Sequence, residues 1–452
     1  MRSSEEELVS RADTALLIGG SRRAGSGEIL GSWNPANRRL VDSYQAAAAE
    51  DILDAAAAAA AAAAAWAARA PADRAAPLAA WADRIEAAFD DLAAAVVEEI
   101  GATISEARAD VADGVAALRA STGTDERSRP IGHVGLVTPW VSPAALPLAR
   151  LAAALSVGNT VVWKPAPYAS VVSAKLAALC DDLPDGVFNV VLGDGDTALS
   201  LARSHLAGFH VVGTVEAARW LCREALDAGT RVYGEAACAC IAIVLADADL
   251  ESATELVLAA AFRSAGQRSC AVEQVIVETP VLDGFLERLA ARAAELRVGD
   301  PAETSVEMGP LGDAESARRC GDFVESQIVA GARCHAGGTL LSELGEAFFA
   351  PTVLQSFSHD DTVPLCSGPV VIVRGADDVR AVAPVVSAAL AAGVLARDLG
   401  RAAEIGTALR LPLVRVGSLP RAGTYEALVG PRAPIFSDAA FCPLTQTQEL
   451  TT

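Results

Sequence analysis

Apolar positions change their period along the chain, and the changes mark its parts. Residues 14 to 45 carry short apolar runs, ALLIGG and then GEILGSWNPANRRLVDSY, with a turn at Trp33-Asn34-Pro35, so short strands joined by turns are expected. Asp51 to Ala68 predicts a helix with eleven consecutive alanines at 55 to 65, read as a low-complexity helix surface and broken by Pro71. Asp73 to Ala88, Phe89 to Glu99 and Ile104 to Leu118 place apolar residues three and four apart and predict packed helices.

From 131 to 230 the pattern alternates. HVGLVTPW (133–140), NTVVWKP (159–165), VFNVVL (187–192) and Gly208 to Gly213 are short apolar runs of the kind buried in a parallel sheet. Helices are predicted over Leu146 to Ser156 and Ser170 to Cys180. This βαβ succession predicts a doubly wound parallel sheet whose ligand crevice lies beyond the C-terminal strand ends.

The second half repeats the theme. CIAIVLADADL (240–250) reads as a buried strand and turn, and Leu250 to Phe262 as an Ala-rich helix running into Gly266-Gln267. Gln274 to Glu278, QVIVE, reads as a strand, with helices within 278–297 and over Ser316 to Gly331. Residues 349 to 375 hold short strands. Val379 to Ala392 and Ala402 to Leu409 read as helices, and Pro412 to Ser418 as a strand. The tail FCPLTQTQELTT is β-prone and suits an edge strand, on another subunit or frayed.

Composition narrows the function classes. At 452 residues and 52% hydrophobic content, two or three packed units with a large core are expected, without a membrane span because the longest apolar run is almost pure alanine. The opening MRSSEEELVSRAD is acidic where a signal peptide would be basic, so a cytoplasmic location is expected. Nine irregularly spaced cysteines fit reduced thiols. Cys238-Ala239-Cys240 has no second pair at zinc spacing and the chain has five histidines, so no metal site is expected. A net charge of −21 argues against nucleic acid and anionic membrane partners.

Candidate chemistry sits at strand ends. The stretch FRSAGQRSCAVEQV (262–275) puts a glycine turn between helix and strand, a seat suited to a nucleophile or, equally, to a buried cysteine. Lys164 ends an apolar strand, placed for a phosphate or ribose hydroxyl, or merely solvated. Gly213-Thr214 follow another strand and begin a helix, where free N–H groups can receive an anion. No G-x-G-x-x-G occurs, and Gly193-Asp194-Gly195 is only a turn. Glu235 stands in so apolar a stretch that it must be neutral, paired or wet, which favours a lined cavity; a partly exposed Glu at a strand start is the alternative.

Several motifs occur in order: TPWVSP (138–143), GNTVVWKP (158–165), DGVFNVVLGDG (185–195), YGEAACACIAIVLADADL (233–250), Gly309-Pro310-Leu311, Ala350-Pro351-Thr352-Val353 and Gly368-Pro369-Val370. Together they resemble the aldehyde dehydrogenase superfamily over nearly the whole chain. The resemblance implies an α/β fold of two doubly wound, Rossmann-like domains with a reduced oligomerisation element. It divides the chain into a nucleotide-binding domain at 1–232, a catalytic-type domain at 233–420, and a tail at 421–452 that serves as an oligomerisation or edge-strand segment. Residues 119–131 stand where a longer hairpin is usual.

Residue by residue, the resemblance makes Glu235 the general base and Lys164 the ribose ligand, with Gly213-Thr214 receiving the pyrophosphate and Trp140 in the W-N pair. It also exposes departures. The G-Q-x-C nucleophile position is Ser269, with Cys270 one residue late and Gln274 where an Arg is usual. The oxyanion-donating Asn is Val141, and losing such a donor typically costs ~3 kcal/mol of transition-state stabilisation. Pro167, Ala218, Leu365 and Ser367 replace cofactor contacts. Binding of NAD or NADP is therefore expected to be weak or lost. The expected role is a non-catalytic structural or regulatory partner, in a homo- or hetero-oligomer with an active aldehyde dehydrogenase. The alternatives are an NAD(P)-dependent aldehyde oxidoreductase using Cys270 or an unusual nucleophile, and a nucleotide- or aldehyde-binding protein.

Overall fold

The computed structural model describes residues 14–120, 129–236, 240–357, 366–379, 391–409, 411, 413–419 and the backbone of a strand at 449–451. The shortened segment expected at 119–131 lies mostly outside the described residues. So do Ala237, Cys238, Ala239, Leu365, most of the helix expected at 379–392, and the tail apart from that strand.

The chain opens with four strands: β1 (Leu16–Ile18), β2 (Ser21–Arg23), β3 (Ile29–Trp33) and β4 (Leu40–Gln45). Four helices follow: α1 (Ala49–Ala67), α2 (Pro71–Ala87), α3 (Phe89–Ile100) and α4 (Ile104–Ala120). The alternating section comprises β5 (His133–Thr138), α5 (Ala145–Val157), β6 (Thr160–Pro165), α6 (Ser170–Ala178), β7 (Phe188–Val190), α7 (Gly195–Ala202), β8 (Gly208–Gly213), α8 (Val215–Asp227) and β9 (Arg231–Ala236). These build one seven-stranded sheet in the order β2-β1-β7-β6-β5-β8-β9. Its strands β5 to β9 are parallel, while β1 pairs antiparallel with both β2 and β7.

The second half forms β10 (Cys240–Val244), α9 (Leu250–Phe262), β11 (Val272–Glu278), α10 (Leu282–Glu295), α11 (Ala314–Val329), β12 (Arg333–Ala336), β13 (Thr352–Gln355) and β14 (Val370–Ala376). It continues with β15 (Ala391–Leu395), α12 (Leu399–Leu409), β16 (Leu413–Val416) and β17 (Glu449–Thr451). An eight-stranded sheet results, in the order β12-β13-β14-β11-β10-β15-β16-β17, parallel except for β12 against β13. The tail strand β17 thus lies at the edge of the chain's own sheet, beside β16. The boundary expected at 232/233 falls inside β9, so Tyr233 and Glu235 close the first sheet rather than open the second.

The alanine run is surface on one side only; the other side is buried. Ala55 and Ala59 are fully buried, Ala56 nearly so, and Ile52 and Trp66 bury with them on one side of α1. Trp66 Nε1 donates to Leu155 O at 3.0 Å, and Thr160 Oγ1 donates to Ala59 O at 2.7 Å. Glycine at 186 lets its loop come close to the α1 backbone: a Cβ added there would lie 2.5 Å from Ala58 O. Periodicity could not reveal the buried face because every position in the run is apolar.

Strand entry into the first sheet is fixed by Asn159, which is fully buried. Its Oδ1 accepts from the N–H groups of Ile131 and Gly132 at 2.8 and 3.1 Å, and its Nδ2 donates to Ala154 O at 3.1 Å. One side chain therefore ties the end of α5 to the approach to β5. Sequential strands run from β5 outward through β6 and β7, then cross back to β8 beside β5. The order reverses between β5 and β8, which sets the crevice at Thr138 and Gly213.

Candidate active site

Glu235 is 2% exposed, at the C-terminal end of β9. Arg150 on α5 grips it with two parallel bonds, Nε to Oε1 at 2.9 Å and Nη2 to Oε2 at 2.6 Å. His210 on β8 brings Nε2 to 2.7 Å from Oε1. The register explains the meeting: His210 pairs with Tyr233 and Val212 with Glu235, so His210 and Glu235 project from the same face of neighbouring strands. The Tyr233 ring lies edge-on to the imidazole at 5.0 Å.

Of the three fates open to a buried Glu, this one is paired. Burial by itself pushes the Glu235 carboxyl up; His210 and Arg150 more than reverse that and hold it at about 2. Burial lowers His210 while Glu235 opposes that, and Arg150 supplies a fixed positive charge to the carboxylate. A carboxylate with both oxygens engaged and so low a proton affinity is a poor base for activating water. Sequence reasoning passed over Arg150 and His210. Their signal was available, since each is a lone cation-forming residue in an otherwise apolar helix or strand.

The 263–270 loop is built from left-handed backbone. Ser264, Ala265, Gly266 and Cys270 have φ of 51°, 50°, 70° and 61°. Such angles are unfavourable for residues with a Cβ and persist only where packing over-determines them. At Gly266 the packing is plain: an added Cβ would lie 2.1 Å from Gly368 O. Glu106 on α4 accepts from the Ser264 N–H at 2.7 Å. Gln267 bridges to the other side, its Oε1 accepting from Gly312 N–H at 2.9 Å and its Nε2 donating to Ser264 O at 3.1 Å.

Ser269 is half-buried, whereas Cys270 is 4% exposed and packs in the core of the second sheet with Val272. The neighbouring Arg268 is half-buried, and burial lowers its guanidinium, helped by Arg263 and opposed by Glu106 and Asp110. The Cys270 thiol therefore faces apolar packing, while the half-buried side chain beside it is Ser269.

The loop after β5 is anchored by the same helix. Asp110 on α4 accepts from the N–H groups of Ala144 and Ala145 at 2.8 and 3.2 Å, and burial pushes its carboxyl up to about 6. This loop carries Trp140 and Val141, both half-buried. The Trp140 ring covers Gly312, where an added Cβ would lie 3.2 Å from it, and Tyr168 stands 6.3 Å away. Tyr168 in turn donates to Asp313 Oδ2 at 3.3 Å. Trp140, Tyr168, Gln267, Gly312 and Asp313 therefore gather where the two halves of the chain meet.

Lys164 is 3% exposed at the end of β6. Burial lowers its amine to about 7, with Asp194 opposing that only in part. Thr214 is the N-cap of α8, its Oγ1 accepting from Ala217 N–H at 3.2 Å. Glu216 occupies the first turn, a negative charge where a pyrophosphate would be received. Ala218 is buried, and a Cβ added at Gly234 would lie 3.7 Å from its methyl; the close approach at this position is between α8 and β9. The crevice, the lysine and the helix start thus lie at strand ends of one sheet, with Lys164 only partly protonated near neutral pH and Glu216 adding a negative charge beside Thr214.

Among the described residues, no group of three or more His, Cys, Asp or Glu side chains could hold a metal, and no helix is long and apolar enough to cross a membrane. An open cavity of ≈ 980 Å³, lined by Asn34, Glu98, Arg297, Asp300 and Phe348 among others, includes none of the site residues.

Comparison with known proteins agrees with this architecture. The model of the aldehyde dehydrogenase family matches residues 23–430. The alpha-ketoglutaric semialdehyde dehydrogenase of Bacillus subtilis strain 168 is 30% identical over 426 residues, covering 87% of each chain. The NADP(+)-dependent succinate-semialdehyde dehydrogenase of Escherichia coli strain K12 is 33% identical over 302 residues, 64% of this chain and 62% of that one. Among solved structures, HpcC of Thermus thermophilus superposes with a TM-score of 0.88 at 27% identity, covering 96% of this chain and 93% of its own. Betaine aldehyde dehydrogenase of Staphylococcus aureus in complex with NAD+ has the same fold, with a TM-score of 0.85 at 22% identity, covering 93% and 90%. By its motifs, its two sheets and these relatives, the chain belongs to the aldehyde dehydrogenase family.

Proposed function

We propose that this chain keeps the aldehyde dehydrogenase scaffold without thiol-dependent aldehyde oxidation, and serves as a non-catalytic partner of an active aldehyde dehydrogenase. The observation that carries the reading is the capture of Glu235 by Arg150 and His210. A general base must be free to take a proton from water, and this carboxylate has both oxygens engaged in a buried, charge-assisted pair. Ser269 in the nucleophile position supports the same reading, because a serine hydroxyl is far less acidic than a thiol and needs a dedicated base. Val141 adds a missing oxyanion donor.

Kinship weighs the other way. The relatives bear the names of dehydrogenases, which favours an NAD(P)-dependent aldehyde oxidoreductase over a non-catalytic partner. That second reading also has the preserved Gly266-Gln267 turn behind it. It requires a nucleophile, and Cys270 serves only if the loop re-packs, since its sulfur now faces the core. Assay of the purified chain against a panel of aldehydes with NAD and NADP separates the two. Absence of reduced cofactor supports the proposal, and turnover that disappears in Cys270→Ala establishes the oxidoreductase.

The partner role rests on chemistry lost while the core is kept. An obligate interface of this kind should bury more than ~2,000 Å² and survive purification.

A further inference from the structure

Cys320 and Cys366 are 46 residues apart, on α11 and on the loop that leads into β14, yet their sulfurs lie 3.5 Å apart, the Cys366 thiol donating to Cys320. Both are free thiols; Cys320 is 1% exposed and Cys366 half-buried. The contact is built in from several sides. A Cβ added at Gly368 would lie 2.2 Å from Cys320 Sγ, so only glycine lets the loop settle against that sulfur. Glu273 on β11 holds the loop by accepting from the Cys366 N–H. The Gly368 carbonyl then packs onto Gly266, at the turn of the candidate site.

We propose that Cys320 and Cys366 form a redox-active dithiol, which a low-molecular-weight disulfide converts to an intrachain disulfide that fastens the 366–369 loop to α11. The reaction is thiol–disulfide exchange. A thiolate of the pair attacks one sulfur of the incoming disulfide and expels one small thiolate. The second thiol of the pair, deprotonated, attacks the mixed disulfide and expels the other. The pair loses two electrons and two protons, and the small disulfide becomes two thiols. The sulfurs must close from 3.5 Å to about 2.05 Å, a movement within reach of side-chain rotation and a small shift of the loop. The hydrogen bond polarises the pair: with Arg319 it lowers Cys320, and it raises Cys366, so Cys320 is the readier thiolate and takes up the Cys366 proton as the half-exposed thiol attacks. Half-exposed Cys366 gives the oxidant access, and buried Cys320 stands behind it to resolve the mixed disulfide.

The test equilibrates the full-length chain in glutathione buffers from reducing to oxidising. Free thiols are then alkylated and peptides are mapped without reduction. The expected result is the loss of two of the nine alkylatable thiols and one cross-linked peptide pair joining Cys320 to Cys366. Cys366→Ser and Cys320→Ser should each abolish that cross-link. Circular dichroism checks that they fold, and Cys366→Ser, at the half-exposed position, carries the test if Cys320→Ser does not. Nine alkylated thiols at the oxidising end, a stable glutathione adduct on Cys366 alone, or a cross-link between other cysteines in the folded chain would each overturn the proposal.

Discussion

Two strand ends of the same sheet bury an ionisable group in opposite ways. At the end of β9, Glu235 keeps its charge because Arg150 and His210 meet it at hydrogen-bond distance. At the end of β6, Lys164 is just as buried but has only the field of Asp194, and its amine falls to about 7. The first arrangement locks a charge into structure; the second leaves an amine that gains or loses its proton near neutral pH. On the proposed reading, the locked group stands where catalysis would need a free base, and the adjustable one where a cofactor would need a fixed cation.

The largest effect should come from breaking the locked end. Arg150→Met leaves Glu235 buried with His210 alone, and unfolding in urea should report a loss of about 3–5 kcal/mol. Replacing both partners, Arg150→Met with Glu235→Leu, should recover most of it, because no buried charge is then left unpaired. The pH dependence follows from the direction of the shift. Glu235 is held at about 2, below its ordinary 4.5, so its stabilisation is complete above pH ~4.5 and fades as pH falls toward 2. That acid-side slope should be smaller in the double variant; an unchanged slope would place the comparison in error.

The adjustable end gives a smaller and opposite response. Lys164 titrates at about 7 rather than 10.5, so between those values the unfolded chain binds more protons and stability rises with pH. Lys164→Met should flatten that rise, measured as urea midpoints at pH 7 to 10. Dinucleotide binding, expected to be weak, should decline further as pH rises through about 7 and the amine discharges. Calorimetry giving micromolar affinity for NAD or NADP would contradict this account.

Deleting Pro443 to Thr452 should weaken association with an active aldehyde dehydrogenase encoded nearby, in co-purification, without unfolding the chain. A chain that stays monomeric when co-expressed with that homologue removes the partner role and favours a ligand-binding one. The smallest change is expected from Glu106→Gln on α4. It trades a charged acceptor for a neutral one at the Ser264 N–H and should cost about 1 kcal/mol in thermal unfolding.

Much of the fold was legible because strand and helix periods differ and because parallel strands read as continuous apolar runs. The helix expected over Leu250 to Phe262 spans the same residues as α9, and Gly208 to Gly213 the same residues as β8. The buried face of α1 was not legible, since eleven alanines carry no amphipathic signal. Family motif order puts Tyr233 with the catalytic half, while strand pairing puts it with β8, a contact between distant residues that motif order does not carry. At the site, Glu235, Lys164, Trp140 and Thr214 could be nominated from strand ends and resemblance. What each touches could not: Arg150 reaches Glu235 across 85 residues of sequence, and only the packed fold makes that contact.

The central claim is that the captured Glu235, Ser269 and Val141 together leave no route for thiol-dependent oxidation. Its most direct test is the rate of NADH and NADPH formation by the purified chain over a broad aldehyde panel, with Cys270→Ala alongside. The account predicts no formation above a protein-free control in either protein. Turnover by the unmodified chain that vanishes in Cys270→Ala would contradict it.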